Sequence, residues 1–324
     1  MKNKLLVVIL ACVLLISSGC GEKAPVLPGK TQPTVPTTIP EETVEQTEEV
    51  TTTEPTVPAV AGIEGTALYN ADKFALVLTD LSQTEEGSVM TVTAVNRTDM
   101  TVYMRLMNFS VNSFMLDVRP TVVLEPQQTL EAPYLLTQQE LTYNGITDIT
   151  DLQFDLWVYD SDDFKTPDVA DGLCKYYPYG AKGVKTYERQ PQPEDLVLVD
   201  NDRFTVTVTE VVAQDQITLK LHLKNKSDKE LLFIAPYSAL DGAVIDPLWA
   251  HNVSAGKQLN SQITYTAKQL REAGVQEPAV LELPVQIGDH EDWSAGVYFF
   301  EVYTITLAEE PVEEQVEAPA EETT

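Results

Sequence analysis

The sequence is poor in cysteine, histidine and basic residues. It has three Cys and three His in 324 residues, and 21 Lys and Arg stand against 50 Asp and Glu, for a formal net charge of −29. Two of the cysteines lie in the first 20 residues, so Cys174 is left alone and no framework of intrachain disulfides can form. Because so acidic a protein repels nucleic acid, we predict no nucleic-acid partner.

Familiar catalytic and metal-binding motifs are also missing. The sequence has no His-Glu-x-x-His, Gly-x-Ser-x-Gly, P-loop or paired-cysteine metal motif. His222 shares a strand face with Lys220 and Lys224, which predicts exposure to solvent, and His251 has no cysteine or carboxylate at ligand spacing. We therefore predict that the protein is not an enzyme and has no cofactor.

The N-terminus has the pattern of an export signal. Lys2 and Lys4 precede an unbroken apolar run at residues 5–16. This run is too short to span a bilayer, which takes about 20 residues, but it fits the hydrophobic region of a signal peptide. The small residues 17–19 then lead directly to Cys20.

Small residues directly before Cys20 resemble the lipobox of bacterial lipoproteins. The resemblance implies that the Cys20 thiol carries lipid, including fatty acids such as palmitate. It also implies that Cys20 becomes the new N-terminal residue. Two or more acyl chains hold a protein stably in a bilayer. We therefore expect a lipid-anchored protein on the extracellular face of the cell membrane. The alternative is ordinary signal cleavage, which would release a soluble protein.

One stretch of the chain occurs twice. A shift of 129 positions places Asn96 on Asn225 and Leu141 on Leu270 without a gap, and a repeat of this length is a duplicated domain. The last strand of the first repeat is not assigned. The predicted segments are a lipoprotein signal peptide (1–19), a disordered Thr/Pro/Glu-rich tether (20–61), a first repeat with connector (62–187), a second repeat (194–307) and a disordered acidic tail (308–324).

Strand patterns dominate both repeats. Apolar Phe204, Val206 and Val208 alternate with threonines, and the period of two recurs in the late runs 152–158 and 281–287, which indicates strands with one buried face. Pro284 predicts that the second late strand is bulged or lies at a sheet edge.

One short helix is expected in each repeat. Thr137 is followed three residues later by Glu140, and Thr266 by Gln269, which are the signatures of capping boxes. Gly145 and Gly274 then stand where a helix ends. Short strands, regular turns and one helix in a connection are typical of a β-sandwich.

Three short stretches carry a resemblance to a known group of proteins. The Phe-x-Val-x-Val run of residues 204–208, the Asn-Lys-Ser-Asp turn of 225–228 and the Ala-Gly-Lys of 255–257 are similar to Ig-like domains of unknown function in lipoproteins of Gram-positive bacteria. The resemblance covers roughly 66–160 and 196–307. It implies an all-β fold of two tandem Ig-like β-sandwich domains at the cell surface, and it supplies no catalytic residues.

Acidic residues follow the late strand of each repeat. Calcium binds six to eight oxygens, and duplicated acidic loops could supply some of them. The glycine and terminal glutamate of a calcium loop are both missing, so we interpret these loops as solvated hairpin tips and keep a calcium site as the alternative. The candidate ligands are Asp160, Asp162, Asp163, Asp289, Glu291 and Asp292.

Aromatic residues form a second candidate site. Trp157 and Tyr159 share one face of a strand, and three tyrosines follow in the connector. Such side chains can make a platform for a sugar or a peptide, while burial under the connector would explain them equally well. The candidate ligand-binding residues are Trp157, Tyr159, Tyr176, Tyr177 and Tyr179.

Anchor, tether and duplicated β-domain together favour a membrane-anchored extracellular lipoprotein. We expect a non-catalytic binding or scaffolding module whose partners are the lipid bilayer, through Cys20, and cell-wall polymer or another surface protein. The alternative is an accessory lipoprotein that senses a ligand or a cation such as calcium at the acidic loops.

Overall fold

A computed structural model describes residues 57–118, 121–160, 164, 166–185, 187–291 and 296–307. These residues lie in one compact unit, Glu54–Thr324. Cys20, Asp162, Asp163, Asp292 and the tail 308–324 fall outside the described residues. The signal peptide, the tether, the lipid attachment and the tail therefore stay predictions, and so do the boundaries of the five segments.

The first repeat consists of strands, one short helix and one turn of 3-10 helix at Ala181–Gly183. The strands and helix in chain order are β1 (Thr66–Asn70), β2 (Phe74–Gln83), β3 (Gly87–Asn96), β4 (Val102–Val111), β5 (Phe114–Met115), β6 (Val122–Leu124), β7 (Thr129–Thr137), α1 (Gln138–Tyr143), β8 (Leu152–Tyr159) and β9 (Ala170–Tyr176).

The second repeat follows the same order. Its elements are β10 (Leu196–Asp200), β11 (Phe204–Ala213), β12 (Ile217–Asn225), β13 (Leu231–Ala235), β14 (Ser238–Leu240), β15 (Ala243–Ile245), β16 (Trp249–Val253), β17 (Gln258–Tyr265), α2 (Ala267–Glu272), β18 (Val280–Asp289) and β19 (Val297–Thr306).

Each repeat is a sandwich of two antiparallel sheets. In the first repeat, β1-β2-β3-β7 faces a sheet in which β4 and β8 are central and β9 lies at the edge. Side chains from both sheets, such as Leu76, Met90, Leu106 and Phe154, form one buried cluster, and a separate cluster fills the second repeat. The predicted all-β sandwich fold is confirmed. The unassigned last strand of the first repeat is β9, which contains Cys174.

The short helices form as the capping boxes predict. The Thr137 side chain accepts a hydrogen bond from the Glu140 backbone N–H at 3.2 Å, and Thr266 accepts one from the Gln269 N–H at 3.3 Å. Each helix then stops because a glycine with left-handed φ follows it. In both helices one leucine is buried, which ties the helix to its sandwich.

The repeated Asn-x-Thr/Ser-Asp turn depends on a buried asparagine. The Asn96 side chain donates to the carbonyl oxygens of Met100 at 2.7 Å and Glu125 at 2.9 Å, and it accepts from the Thr98 N–H at 3.0 Å. Asn225 makes the same set of bonds in the second repeat. The asparagine therefore joins two loops that are distant in sequence, because its amide can donate and accept at once.

Of the two alternatives predicted for the strand that contains Pro284, the edge position is wrong, whereas an irregularity is present, because the register between β18 and β19 shifts between Ile287 and Gly288. Strand β18 is internal, with β19 on one side and β13 and β14 on the other. On one side of β18, Pro284 pairs with Val302 of β19. On the other side, pairing with β13 ends at Gln286 and pairing with β14 begins at Glu282, so Pro284 lies between the two paired segments. The missing N–H of the proline faces a break between two short strands, so no ladder hydrogen bond is lost.

The two repeats are joined through a shared sheet. Phe114 of β5 pairs in parallel with Gln258 of β17, and this contact links strands of both repeats into one nine-stranded sheet. The Gln258 N–H donates to the Ser113 carbonyl at 2.9 Å, and its side-chain amide donates to the Tyr187 carbonyl at 3.0 Å. The junction therefore includes the hairpin tip of the first repeat and the connector.

The predicted exposure of His222 is also wrong, and the junction is the reason. His222 is only 6% exposed, its Nδ1 lies 2.9 Å from Asn260 Oδ1, and its ring lies 6.0 Å from that of Phe114. Burial lowers the pKa of His222. His222 does share its strand face with Lys220 and Lys224, but the hairpin that contains Phe114 covers the face between these two lysines.

Partly buried polar groups also meet at this junction. The Asn108 side-chain amide donates to Asp155 at 2.9 Å and to Glu230 of the other repeat at 3.1 Å. Burial raises the pKa of both carboxyl groups. One amide thus bridges acidic side chains of the two repeats, which would otherwise repel each other.

Candidate functional site

A groove of about 1010 Å³ opens in the first repeat. It runs between the end of β2, helix α1 with the loop after it, and the chain that follows β9. Its apolar lining includes Leu78, Leu81, Leu141, Ile146, Ile149 and Tyr176. Its polar lining includes Asp80, Gln83, Gln138, Thr142, Asp148 and Tyr179.

The groove exists because β1 is much shorter than β2. The β1–β2 ladder ends where Thr66 pairs with Leu78, so among the described strands the rest of β2 has only β3 as a neighbour. Gly65 marks the end of the ladder with φ +136°, and a Cβ there would lie 2.3 Å from the Leu78 carbonyl oxygen. The chain can approach β2 this closely only because residue 65 is a glycine.

The floor of the groove is an open part of the hydrophobic core. Leu141 and Ile146 are buried, whereas Leu81, Ile149 and Tyr176 pack against the core cluster but remain only partly buried. An edge strand of full length would cover these side chains. The first repeat therefore exposes apolar surface in a concave site, which is the usual setting for a bound ligand.

The rim of the groove is polar and held by hydrogen bonds. Tyr179 donates to one Asp148 oxygen at 3.1 Å, and the Lys185 ammonium lies 2.7 Å from the other. The bond from Lys185, together with that from Tyr179, lowers the pKa of the Asp148 carboxyl group. Gln138 of α1 donates to Thr142 at 3.0 Å. These contacts orient Tyr179 and the helix at the mouth of the groove.

The structure does not bring the five candidate aromatic residues together. Tyr176 and Tyr179 line the groove, whereas Trp157 and Tyr159 lie toward the other end of the β8–β9 pair, and Tyr159 is buried. Tyr177 is partly buried, and its carbonyl accepts from the Gly180 N–H at 2.9 Å. Only the two groove tyrosines therefore contribute to this site.

Two of the acidic candidates, Asp289 and Asp160, make side-chain hydrogen bonds. Asp289 accepts from the Lys229 ammonium at 2.8 Å, from the Tyr298 hydroxyl at 3.1 Å and from the Glu291 N–H at 3.0 Å. A hydrogen bond with Asp168 raises the pKa of Asp160. Within the described ranges, no group of three or more His, Cys, Asp or Glu side chains could hold a metal ion. The calcium alternative stays a prediction.

Cys174 is buried in the first repeat. Its Sγ lies 3.6 Å from the Leu68 carbonyl oxygen, and burial raises the pKa of the thiol to about 12. A thiol that is protonated and shielded from solvent is a poor nucleophile. Cys174 therefore acts as a small apolar core residue.

The sequence of β2 contains one sign of the groove, a break in the alternation of apolar and polar residues. Leu76 and Leu78 are two residues apart, but the next apolar residue is Leu81, three positions on, and a register shift lies between Leu78 and Asp80. Such a change in spacing marks a β-bulge. The groove itself depends on where β1 ends, which the spacing does not reveal.

Comparisons with known proteins do not assign a family. No family model and no curated protein matches the chain. A red sea bream transglutaminase structure aligns at 11% identity and a TM-score of 0.18, over 74% of this chain and 32% of the transglutaminase. A Salmonella enterica SafA pilin in complex with the SafB chaperone aligns at 11% identity and a TM-score of 0.19, over 73% of this chain and 98% of the matched chain. This chain thus spans about a third of the transglutaminase, and neither likeness supports a function.

Among the described residues, no helix is both long enough and apolar enough to cross a membrane.

Proposed function

We propose that this protein is a non-catalytic binding module that works at the cell surface, anchored in the membrane by lipid on Cys20. The observation that carries the proposal is the groove of the first repeat, where the core side chains Leu81, Ile149 and Tyr176 are left partly uncovered. Exposed apolar groups in a concave site, with polar groups at the rim, are what a binding protein needs.

The polar groups of the groove support binding rather than catalysis. Asp148 is held as a carboxylate by Lys185 and Tyr179, so it is poorly suited to accept or deliver a proton near neutral pH. Tyr179 presents a 64% exposed aromatic side chain at the mouth of the groove. The partner we propose is cell-wall polymer or another surface protein, as the sequence suggests.

Filling the groove is expected to abolish binding. Thr142 lines the groove from the exposed side of α1, so Thr142→Trp should occupy it, while Thr142→Ala should leave it open. A ligand at about 100 times its Kd adds roughly 2.7 kcal/mol to the stability of the folded protein. We expect wall fragments or surface-protein peptides to raise the melting temperature of the wild type and of Thr142→Ala but not of Thr142→Trp.

Equal shifts in all three proteins would place the binding site elsewhere and contradict the proposal. A shift produced by calcium alone would favour the cation-sensing alternative.

Replacing Cys20 tests the anchor separately. Without its thiol the N-terminus cannot be acylated, so Cys20→Ala is expected to move the protein from the membrane fraction to the medium or to leave an unprocessed precursor. Fractionation of cells followed by immunoblotting measures the change, with Cys174→Ala as the matched control because its thiol is buried. Unchanged acylation and retention of Cys20→Ala would contradict a lipid anchor at this residue.

A further inference from the structure

We infer that the groove of the first repeat binds an extended peptide segment, which adds a strand to the free edge of β2. The inference rests on the proposed function and narrows it to one class of partner. Its basis is the backbone of residues 79–83, which has no neighbouring strand on the groove side among the described residues.

The hydrogen-bond pattern shows which backbone groups face the groove. Thr84 and Gly87 exchange both backbone hydrogen bonds, at 2.7 and 3.4 Å, so this pair closes the β2–β3 hairpin. In an antiparallel ladder, bonded and non-bonded pairs alternate. The register Gln83–Ser88 and Leu81–Met90 then places the N–H and C=O groups of Gln83 and Leu81 on the side away from β3. Two donors and two acceptors therefore point outward at strand spacing.

The free edge has the length of a short strand. Five residues of β strand span about 17 Å at roughly 3.3 Å per residue, so the edge can pair with a peptide of about five residues. A peptide in this position takes the place that a longer β1 would occupy. It would cover Leu81, Ile149 and Tyr176, which are the partly buried core residues of the groove.

The groove also defines the side-chain pattern of the peptide. Successive side chains of a strand point to opposite faces, so every second residue of the peptide would face the apolar floor and the others would face solvent. Apolar residues at alternate positions are therefore favoured. Strand addition of this kind takes its affinity from main-chain hydrogen bonds and its specificity from alternate side chains.

Charge at the edge disfavours an acidic peptide. Asp80 is exposed and lies opposite Thr91 on β3. In the second repeat, Glu210 is the residue that directly follows the register shift in β11, as Asp80 does in β2. Glu210 lies opposite Lys220, and their charged groups are 2.6 Å apart. The second repeat thus neutralises its edge carboxylate across the strand pair, whereas the first repeat does not. The complementary peptide is neutral or basic.

Two variants at one residue separate backbone pairing from side-chain contacts. Gln83→Pro removes an N–H that faces the groove and bonds to no β2–β3 partner, so the sheet should tolerate it. Gln83→Ala keeps the N–H and loses the same side-chain contacts, to Ser88 at 2.7 Å and Gln138 at 3.4 Å. Melting curves of both variants check that the fold is intact.

The probes are ten-residue peptides in which Val alternates with Thr, Lys or Glu, titrated against the full chain by fluorescence anisotropy. We expect the Thr and Lys peptides to bind more tightly than the Glu peptide. Gln83→Pro should weaken binding at least tenfold, and Gln83→Ala should change it less than about threefold. If Gln83→Pro does not fold, the Thr peptide with N-methylated valines replaces it on the wild type, with the same expected loss.

Other results would overturn the inference in distinguishable ways. Equal losses in the two Gln83 variants, or no loss in Gln83→Pro, would exclude backbone pairing. A wall polysaccharide whose binding is blocked by Thr142→Trp but unaffected by Gln83→Pro would keep the groove as the binding site and reject the peptide. Self-association abolished by Gln83→Pro would identify a second copy of the chain as the occupant. No groove-dependent binding of any probe would reject the proposed function as well.

Discussion

Phe114→Ala is expected to lower the free energy of unfolding by about 3–5 kcal/mol, the range for removing a buried phenylalanine ring. Phe114 is 1% exposed, and its ring lies 5.3 Å from Tyr187 and 6.0 Å from His222. It belongs to the core of the first repeat and also forms the strand pair with Gln258. The substitution therefore opens a cavity and weakens the junction at once. Chemical denaturation followed by tryptophan fluorescence measures the loss.

The second repeat offers a matched control for this prediction. Val244 occupies the corresponding β-hairpin of the second repeat and is 72% exposed, so Val244→Ala should change the free energy of unfolding by less than about 0.5 kcal/mol. Loosening of the junction should also separate the unfolding of the two repeats into two transitions. If Phe114→Ala unfolds in one transition with a loss below about 1 kcal/mol, the junction does not depend on this ring.

Asn96→Ala is expected to cost about 2–4 kcal/mol of stability. The substitution leaves the carbonyl groups of Met100 and Glu125 and the N–H of Thr98 without their partner, at a residue that is 1% exposed. Each polar group that loses a buried hydrogen bond costs about 1–3 kcal/mol. Because solvent can reach part of the turn, the total stays below the sum of three such losses. Thermal and chemical denaturation measure the change.

Two control substitutions identify the cause of the loss. Asn96→Asp keeps the acceptor for Thr98 but removes both donated hydrogen bonds, so it should be destabilising as well. Asp99→Ala alters an exposed residue of the same turn and should have little effect. Asn225→Ala should match Asn96→Ala, because its bonds are equivalent. A neutral Asn96→Ala would mean that water replaces the amide at no cost.

The sequence predicts the parts of the fold that depend on neighbouring residues. Alternation at Phe204, Val206 and Val208 reports a half-buried strand directly, because side chains of a strand alternate between its two faces. The capping boxes at Thr137 and Thr266 are equally local, since all their partners lie within three residues. These predictions needed no knowledge of how the strands pair.

The parts that could not be predicted depend on contacts between distant residues. His222 has the pattern of an exposed residue, but it is buried at the junction, where Phe114, more than 100 positions away, approaches its ring. In strand β9 the apolar and polar residues alternate only weakly, and Gly172 lies in its interior. The sequence alone therefore does not identify it as a strand, and its pairing with β8 does. The groove requires the length of β1 relative to β2, and of its residues the sequence suggested only Tyr176 and Tyr179.

The junction between the repeats also limits how far the tandem arrangement can extend. The strand that corresponds to β17 in the first repeat is β7, and it carries Glu131 and Pro133 where β17 has Asn260 and Gln262. A proline and a charge on an outer strand discourage a further strand from pairing there. In the second repeat, Ala243 and Val244 occupy the hairpin positions that Phe114 and Met115 hold in the first repeat. We therefore expect that this strand-pairing contact does not repeat head to tail between two molecules and that it joins the two sandwiches within one chain.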